Sequence, residues 1–245
     1  MVQASDTGQS IEFLMHNLTS FFRQTSDGPI RFVVLSQPRT GSSLLCGSIR
    51  WHPQILMQGE VLNQHYRRAE LPEEGGAERL RIALSATMHD AVGCKLHACQ
   101  PDAGWDHWES AWDYLASDPK IKVVHLYREN ELAQLASWKI AERLGEWGDQ
   151  THVSERPTIE VAGGELTWFH RFNSALYRMR LNRLRQHPLL PVTYESLRDD
   201  WPTQLKRVLT FIGVEARPLD QCAIQGETRP LSEVITNYHE FVWGQ

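Results

Sequence analysis

No dense block of lysine or arginine occurs anywhere in this chain, and its formal net charge is -5. Nucleic-acid binding needs a concentrated basic face, so no nucleic-acid partner is expected. Cysteine is sparse. The four, at 46, 94, 99 and 222, lack the paired spacing of a metal site and the density of a small disulfide scaffold. Cys46 and Cys94 stand in apolar surroundings and read as small buried side chains. Long apolar runs are missing too, so no membrane span is expected, and the start lacks the basic-then-apolar order of an export signal. These absences predict a reduced, cytoplasmic protein. What is present is ordinary for a globule with a real core: 41% hydrophobic and 22% charged residues over 245 positions. That size suits a single α/β domain over 1–245.

Apolar spacing predicts helices over 11–23, 42–50, 77–88, 107–116, 131–144, 166–186 and about 202–212, with a short last helix near 231–238. Asn130 is placed to cap the helix at 131, and Gly213 to end the one before it. Apolar runs at 31–35, 91–97, 121–127 and 190–194 read as strands, with a short extended run at 55–57. The stretch 145–164, rich in glycine, proline and polar residues, reads as a loop or flap. Strands alternating with helices argue for a parallel sheet covered on both faces. Such sheets bind ligands beyond the C-terminal ends of their strands. That rule gathers Arg39, His97 and Arg128 at one edge.

The first strand runs into Gln37 to Ser43 (QPRTGSS) and then an apolar run that starts a helix. This order builds a cradle of backbone N–H groups, from Thr40 to Leu44, at a helix N-terminus. The hydroxyls of Ser42 and Ser43 and the forked guanidinium of Arg39 suit a phosphate-like anion. A triphosphate-binding loop would place lysine after its last glycine. Here Gly41 is followed directly by Ser42, and the cation, Arg39, precedes the glycine. The same residues also fit a plain strand–turn–helix with a serine cap. A second element spans Val123 to Ser137: an arginine, Arg128, ends a buried strand, and Ser137 lies in the helix that follows. An arginine there can reach over the sheet edge to a second phosphate, or pair with Glu129 or Glu131 at the surface.

With these residues in place, the chain resembles the sulfotransferase family that uses 3′-phosphoadenosine 5′-phosphosulfate (PAPS), and within it the bacterial carbohydrate branch of nodulation-factor and trehalose 2-sulfotransferases. Gln37 to Ser43 matches the family's 5′-phosphosulfate loop, and Arg128 to Ser137 its 3′-phosphate element. Val192 to Leu197, Leu209 to Gly213 and Gln225 to Pro230 resemble its closing segments, with Arg229 in the position of a phosphate contact. The resemblance implies a P-loop-containing, three-layer α/β/α fold around a central parallel sheet. It also implies an O-sulfotransferase acting on a carbohydrate or small-metabolite hydroxyl, with PAPS as donor, 3′-phosphoadenosine 5′-phosphate as product and no metal. Cofactor contacts would come from Arg39, Thr40, Gly41, Ser42, Ser43, Arg128, Ser137 and Arg229. One departure stands out: many members space the arginine and serine by eight, whereas Ser137 lies nine after Arg128 and position 136 is alanine. One residue turns a helical side chain by about 100°.

Sulfuryl transfer also needs a base for the acceptor's proton, and two residues compete beside Arg39. Glu60 resembles the catalytic glutamate of the trehalose branch. His97, in Lys95-Leu-His97, resembles the lysine-x-histidine of the steroid and phenol sulfotransferases. Histidine has the better unperturbed pKa, while the likeness to the carbohydrate branch favours Glu60. Lys95 and His97 alternate on a strand and so share a face, leaving Lys95 as an orienting cation. Both candidates also have bland readings: Glu60 as a cap or a pair with Arg67 or Arg68, and His97 as a satisfied near-core histidine. His125, inside a strand, reads as structural. The rival functions are an inactive nucleotide-binding protein of the same fold and a P-loop small-molecule kinase. The kinase would want the missing lysine and a magnesium-holding carboxylate. Oligomeric state is left open.

Overall fold

The computed structural model describes residues 28–63, 75–85, 87–100, 109–145, 147, 156–222, 227 and 229–242. The helix expected over 11–23 lies outside these residues, as do Arg67, Arg68 and most of the loop from 225 to 228. Five strands form one sheet: β1 (Ile30–Ser36), β2 (Ile55–Met57), β3 (Ala91–His97), β4 (Lys122–Tyr127) and β5 (Leu189–Thr193). Their order is β2-β3-β1-β4-β5, and every pairing is parallel. Helices α1 (Ser42–Ile49), α2 (Gly76–Ala83), α3 (Glu109–Ser117), α4 (Glu131–Leu144), α5 (Glu165–Arg183), α6 (Tyr194–Asp199), α7 (Trp201–Ile212) and α8 (Leu231–Val234) complete the described regular structure, with a 3₁₀ turn at Tyr238–Phe241. This is the α/β sandwich expected from the strand–helix alternation.

Period-two alternation in β1 makes the layers. Phe32 and Val34 face one side, where Leu45 and Ile49 of α1 and Leu205, Val208 and Leu209 of α7 cover them. Val33 and Leu35 face the other side, against Leu80 of α2 and Trp112 and Leu115 of α3. These β1 side chains are fully buried, and each such Val, Leu or Phe contributes about 1.5–3 kcal/mol. In register, Phe32 sits opposite Gly93. Its ring fills the place of the missing side chain, because a Cβ on Gly93 would lie 2.3 Å from Phe32 Cζ. A third cluster joins Leu135, Ala136 and Ile140 of α4 to Ile159, Val161, Phe169, Val234 and Ile235.

Several element boundaries differ from the sequence reading. Helix α2 stops at Ala83, not 88; further on, the Thr87 hydroxyl accepts from the amide of His89, a local bond that competes with helix. Helix α5 stops at Arg183, with Leu184 buried as its cap. Tyr194, read as strand, opens α6 instead, because Thr193 caps that helix by accepting from the amide of Ser196. No described helix is long and apolar enough to cross a membrane.

Candidate active site

The turn between β1 and α1 is closed from inside. Thr40 is fully buried, and its hydroxyl donates to the carbonyl of Gln37 at 2.7 Å. Two consecutive-but-one residues take left-handed backbone: Arg39 at φ 66° and Gly41 at φ 82°. A non-glycine residue held there costs on the order of 1 kcal/mol or more and persists where the surroundings demand it. Gly41 is further constrained by Tyr194, whose ring would lie 2.6 Å from an added Cβ. Helix α1 has no side-chain cap, and the amides of Ser42, Ser43 and Leu44 have no acceptor among the described residues. The helix therefore opens as a set of uncommitted donors at its positive end.

Helix α4 docks directly on this turn. Gln134 Nε2 donates to the Pro38 carbonyl at 2.9 Å, and Arg39 Nε donates to Ser137 Oγ at 2.9 Å. Ala136 is buried in the third apolar cluster, so position 137 is the one that reaches the turn. The nine-residue spacing thus puts a hydroxyl where a spacing of eight would put an apolar contact.

Arg128 follows β4 and lies over the same edge. Its guanidinium stacks on Tyr194, with Cζ 4.6 Å from the ring centroid, and Nη1 reaches the Arg39 carbonyl at 3.5 Å. Its Nε is buried without a hydrogen-bond partner. The neighbouring Glu195 carboxylate is 4.0 Å away and already accepts from the amides of Glu129 and Asn130. Burial lowers the arginine's pKa, with Tyr194 and Glu195 opposing it. A half-buried cation whose Nε has no partner among the described residues is, at a strand end, a fitting partner for an anion.

The two candidate bases meet in one network. Glu60 Oε1 accepts from Lys95 Nζ at 2.7 Å and lies 3.1 Å from His97 Nε2, while Oε2 accepts from Asn63 Nδ2 at 2.9 Å. Lys95 Nζ also donates to Ser43 Oγ at 3.2 Å, which ties the network to the anion turn. On its far side, His97 Nδ1 lies 3.0 Å from Ser36 Oγ. Burial works against the Glu60 charge, but the His97 and Lys95 contacts outweigh it and hold the carboxyl far below the ordinary range. Glu60 is the most open of the three, its side chain 23% exposed against 11% for Lys95 and 8% for His97.

Thus Arg39, Thr40, Gly41, Ser42, Ser43, Arg128, Ser137, Glu60 and His97 gather at one edge of the sheet. Arg229 does not join them among the described contacts. Its guanidinium is forked onto Glu227 at 2.8 and 2.9 Å, and Nη2 reaches the Pro157 carbonyl. Sequence reasoning missed Ser36, Asn63 and the covering role of Tyr194. Ser36 closes β1 and pairs in register with His97, a relation between distant segments that local patterning does not reveal. His125 is packed against Tyr127 and Tyr177, and its Nε2 is buried with no hydrogen-bond partner among the described residues. Burial pushes the Cys46 thiol up to about 12, which makes it a packing residue. No group of three or more metal-ligating side chains occurs among the described residues.

No family model matches the chain. It is 28% identical over 235 residues to nodulation protein H of Rhizobium meliloti strain 1021, a match covering 86% of this chain and 90% of that protein. Nodulation protein H of Rhizobium tropici is 27% identical over 223 residues, covering 86% and 88%. Among solved structures, that of a sulfotransferase from Alicyclobacillus acidocaldarius superposes with a TM-score of 0.50 at 15% identity, covering 82% of this chain and 87% of that one. The chain is a homologue of nodulation protein H with a sulfotransferase-like fold. The resemblance read in its motifs is thus supported at the level of a bacterial sulfotransferase, and the α/β fold expectation holds.

Proposed function

We propose that this protein is a PAPS-dependent O-sulfotransferase acting on a hydroxyl of a carbohydrate or small metabolite. The observation that carries the reading is the hydrogen-bonded line from Ser43 in the anion turn through Lys95 to Glu60. It sets a proton acceptor beside a cradle built for an anion, as in-line group transfer requires. The fit to the donor rests on protein groups lacking partners: the first amides of α1 and the buried Nε of Arg128. In this reading Arg39, Thr40, Gly41, Ser42 and Ser43 hold the 5′-phosphosulfate end. Arg128 and Ser137 hold the 3′-phosphate, and Arg229 contributes by exchanging Glu227 for the ligand. PAPS supplies a sulfuryl group on a good leaving group. Arg39, Lys95 and the α1 N-terminus place positive charge where negative charge grows, so the transfer needs no metal.

Glu60 receives the acceptor's proton, and His97 supports it. Its low pKa does not disqualify it. In a loose transfer the attacking hydroxyl sheds its proton late, after bonding to the electron-poor centre has made it strongly acidic. A carboxylate that stays ionised at neutral pH is then sufficient, and position matters more than basicity. The deciding experiment is turnover of PAPS with acceptor extracts, read by mass. A sulfated product alongside 3′-phosphoadenosine 5′-phosphate is expected. Tight binding of that nucleotide with no transfer over a broad panel would instead assign an inactive binding protein.

A further inference from the structure

We infer that His97 is a hydrogen-bond donor that positions Glu60, and that Ser36 is the residue that keeps it one. The inference rests on the proposed function for its catalytic meaning and on proton counting for its structure. An ionised carboxylate accepts and never donates. Glu60 Oε1 is 3.1 Å from Nε2 of His97, so that nitrogen carries a proton. The other ring nitrogen, Nδ1, lies 3.0 Å from Ser36 Oγ, its one hydrogen-bond partner among the described residues. Ser36, at the end of β1, and His97 are both buried.

The Ser36 hydroxyl has one proton and two places to send it. The Leu96 carbonyl is 3.4 Å away, long for an O–H···O bond, and Nδ1 is the closer acceptor. Given to Nδ1, the proton satisfies a neutral ring that is protonated on Nε2. The ring then has no lone pair directed at an acceptor molecule: one nitrogen is spent on Glu60 and the other on Ser36. Among the described residues Glu60 Oε2 has the Asn63 bond alone, which leaves it a lone pair for the incoming proton. The amide of His97 donates to Gln100 Oε1 at 3.1 Å, which steadies the strand end from the backbone side. Ser36 and His97 are thus positioning residues in one line, Ser36–His97–Glu60, and the proton stops at Glu60.

Nitrogen-15 NMR of the His97 ring, assigned by comparison with His97→Gln, tests this near neutral to mildly alkaline pH without turnover. The expected spectrum is a neutral ring protonated on Nε2 with Nδ1 accepting. A ring protonated on Nδ1, or on both nitrogens, overturns the inference. Kinetics provide the second arm. Glutamine at 97 retains a side-chain donor, so His97→Gln should keep a larger share of kcat than His97→Leu. Equal losses in the two overturn the donor role. Ser36→Ala should lower kcat by up to about a hundredfold with nucleotide affinity unchanged, and Ser36→Thr, which keeps the hydroxyl, should recover it. Unchanged kcat in a folded Ser36→Ala protein overturns the role of Ser36. If no acceptor is ever sulfated, the functional reading fails, while the NMR result still decides the hydrogen-bond assignment.

Discussion

Glu60 and Arg128 carry opposite burdens, and each yields a sharp expectation. Glu60→Gln keeps the size and one acceptor oxygen but cannot take a proton. Its kcat should fall by roughly 10²–10⁴-fold, while affinity for 3′-phosphoadenosine 5′-phosphate, read by calorimetry, changes little. Arg128→Ala should do the reverse. Removing a buried guanidinium from an anion costs about 1.5–3 kcal/mol, or roughly 10–150-fold in nucleotide affinity. Undiminished affinity in that variant would reject a phosphate role for Arg128. Gly41 gives a third expectation at this scale. Alanine there meets both an unfavourable φ and the Tyr194 ring 2.6 Å away. Gly41→Ala should displace Tyr194 from Arg128 and lower both nucleotide affinity and melting temperature.

Among the elements, α4 is the one whose start matters most. Asn130 Oδ1 accepts from the amide of Ala133 at 2.8 Å, and the loss of such a cap costs about 1 kcal/mol. Because α4 carries Gln134 and Ser137 onto the anion turn, Asn130→Ala should also weaken nucleotide binding, a coupling that a remote destabilising change would not produce. Paired titrations of Asn130→Ala and Asp200→Ala, which removes the carboxylate capping α7, would separate the two. This cap, like the turn itself, was legible in the sequence, because each is a run of adjacent residues whose types state their geometry. Arg128 was legible for the same reason, standing directly after a buried apolar strand. The Ser137 spacing was ambiguous until packing fixed the helix, since the burial of Ala136 decides which neighbour faces the turn. The line from Ser36 through His97 to Glu60 was beyond reach. It joins the ends of β1 and β3 with the segment after β2, and only strand order brings those three together. Helix α6 was missed because its capping threonine also ends a strand, where apolar spacing alone reads Tyr194 as one more strand residue.

For the molecule as a whole, stability should depend on a histidine far from any proton-transfer role. Burial pushes the His125 pKa down to about 4, against an ordinary value of 6.5. The folded state therefore holds this ring neutral while the unfolded chain takes up a proton. Stability is fully present above about pH 6.5 and is lost as pH falls towards 4. On the order of 1–2 kcal/mol should disappear near pH 5 from this group alone. Denaturant unfolding of the wild type and His125→Phe at about pH 8 and pH 5 measures it. The variant should lose less stability on acidification, and an identical loss would remove His125 as the source.

The third apolar cluster has a consequence for how the protein comes into being. Helix α4 leans on Val234 and Ile235, and Ile159 pairs with Ile235 across a parallel bridge. During synthesis, the sheet strands β1 to β4 emerge long before those late residues. The anion turn can therefore fold early, but the helix that supplies Ser137 lacks its final support until Val234 and Ile235 have been made. With the site as proposed, nucleotide binding waits on residues roughly a hundred positions after the helix that carries Ser137.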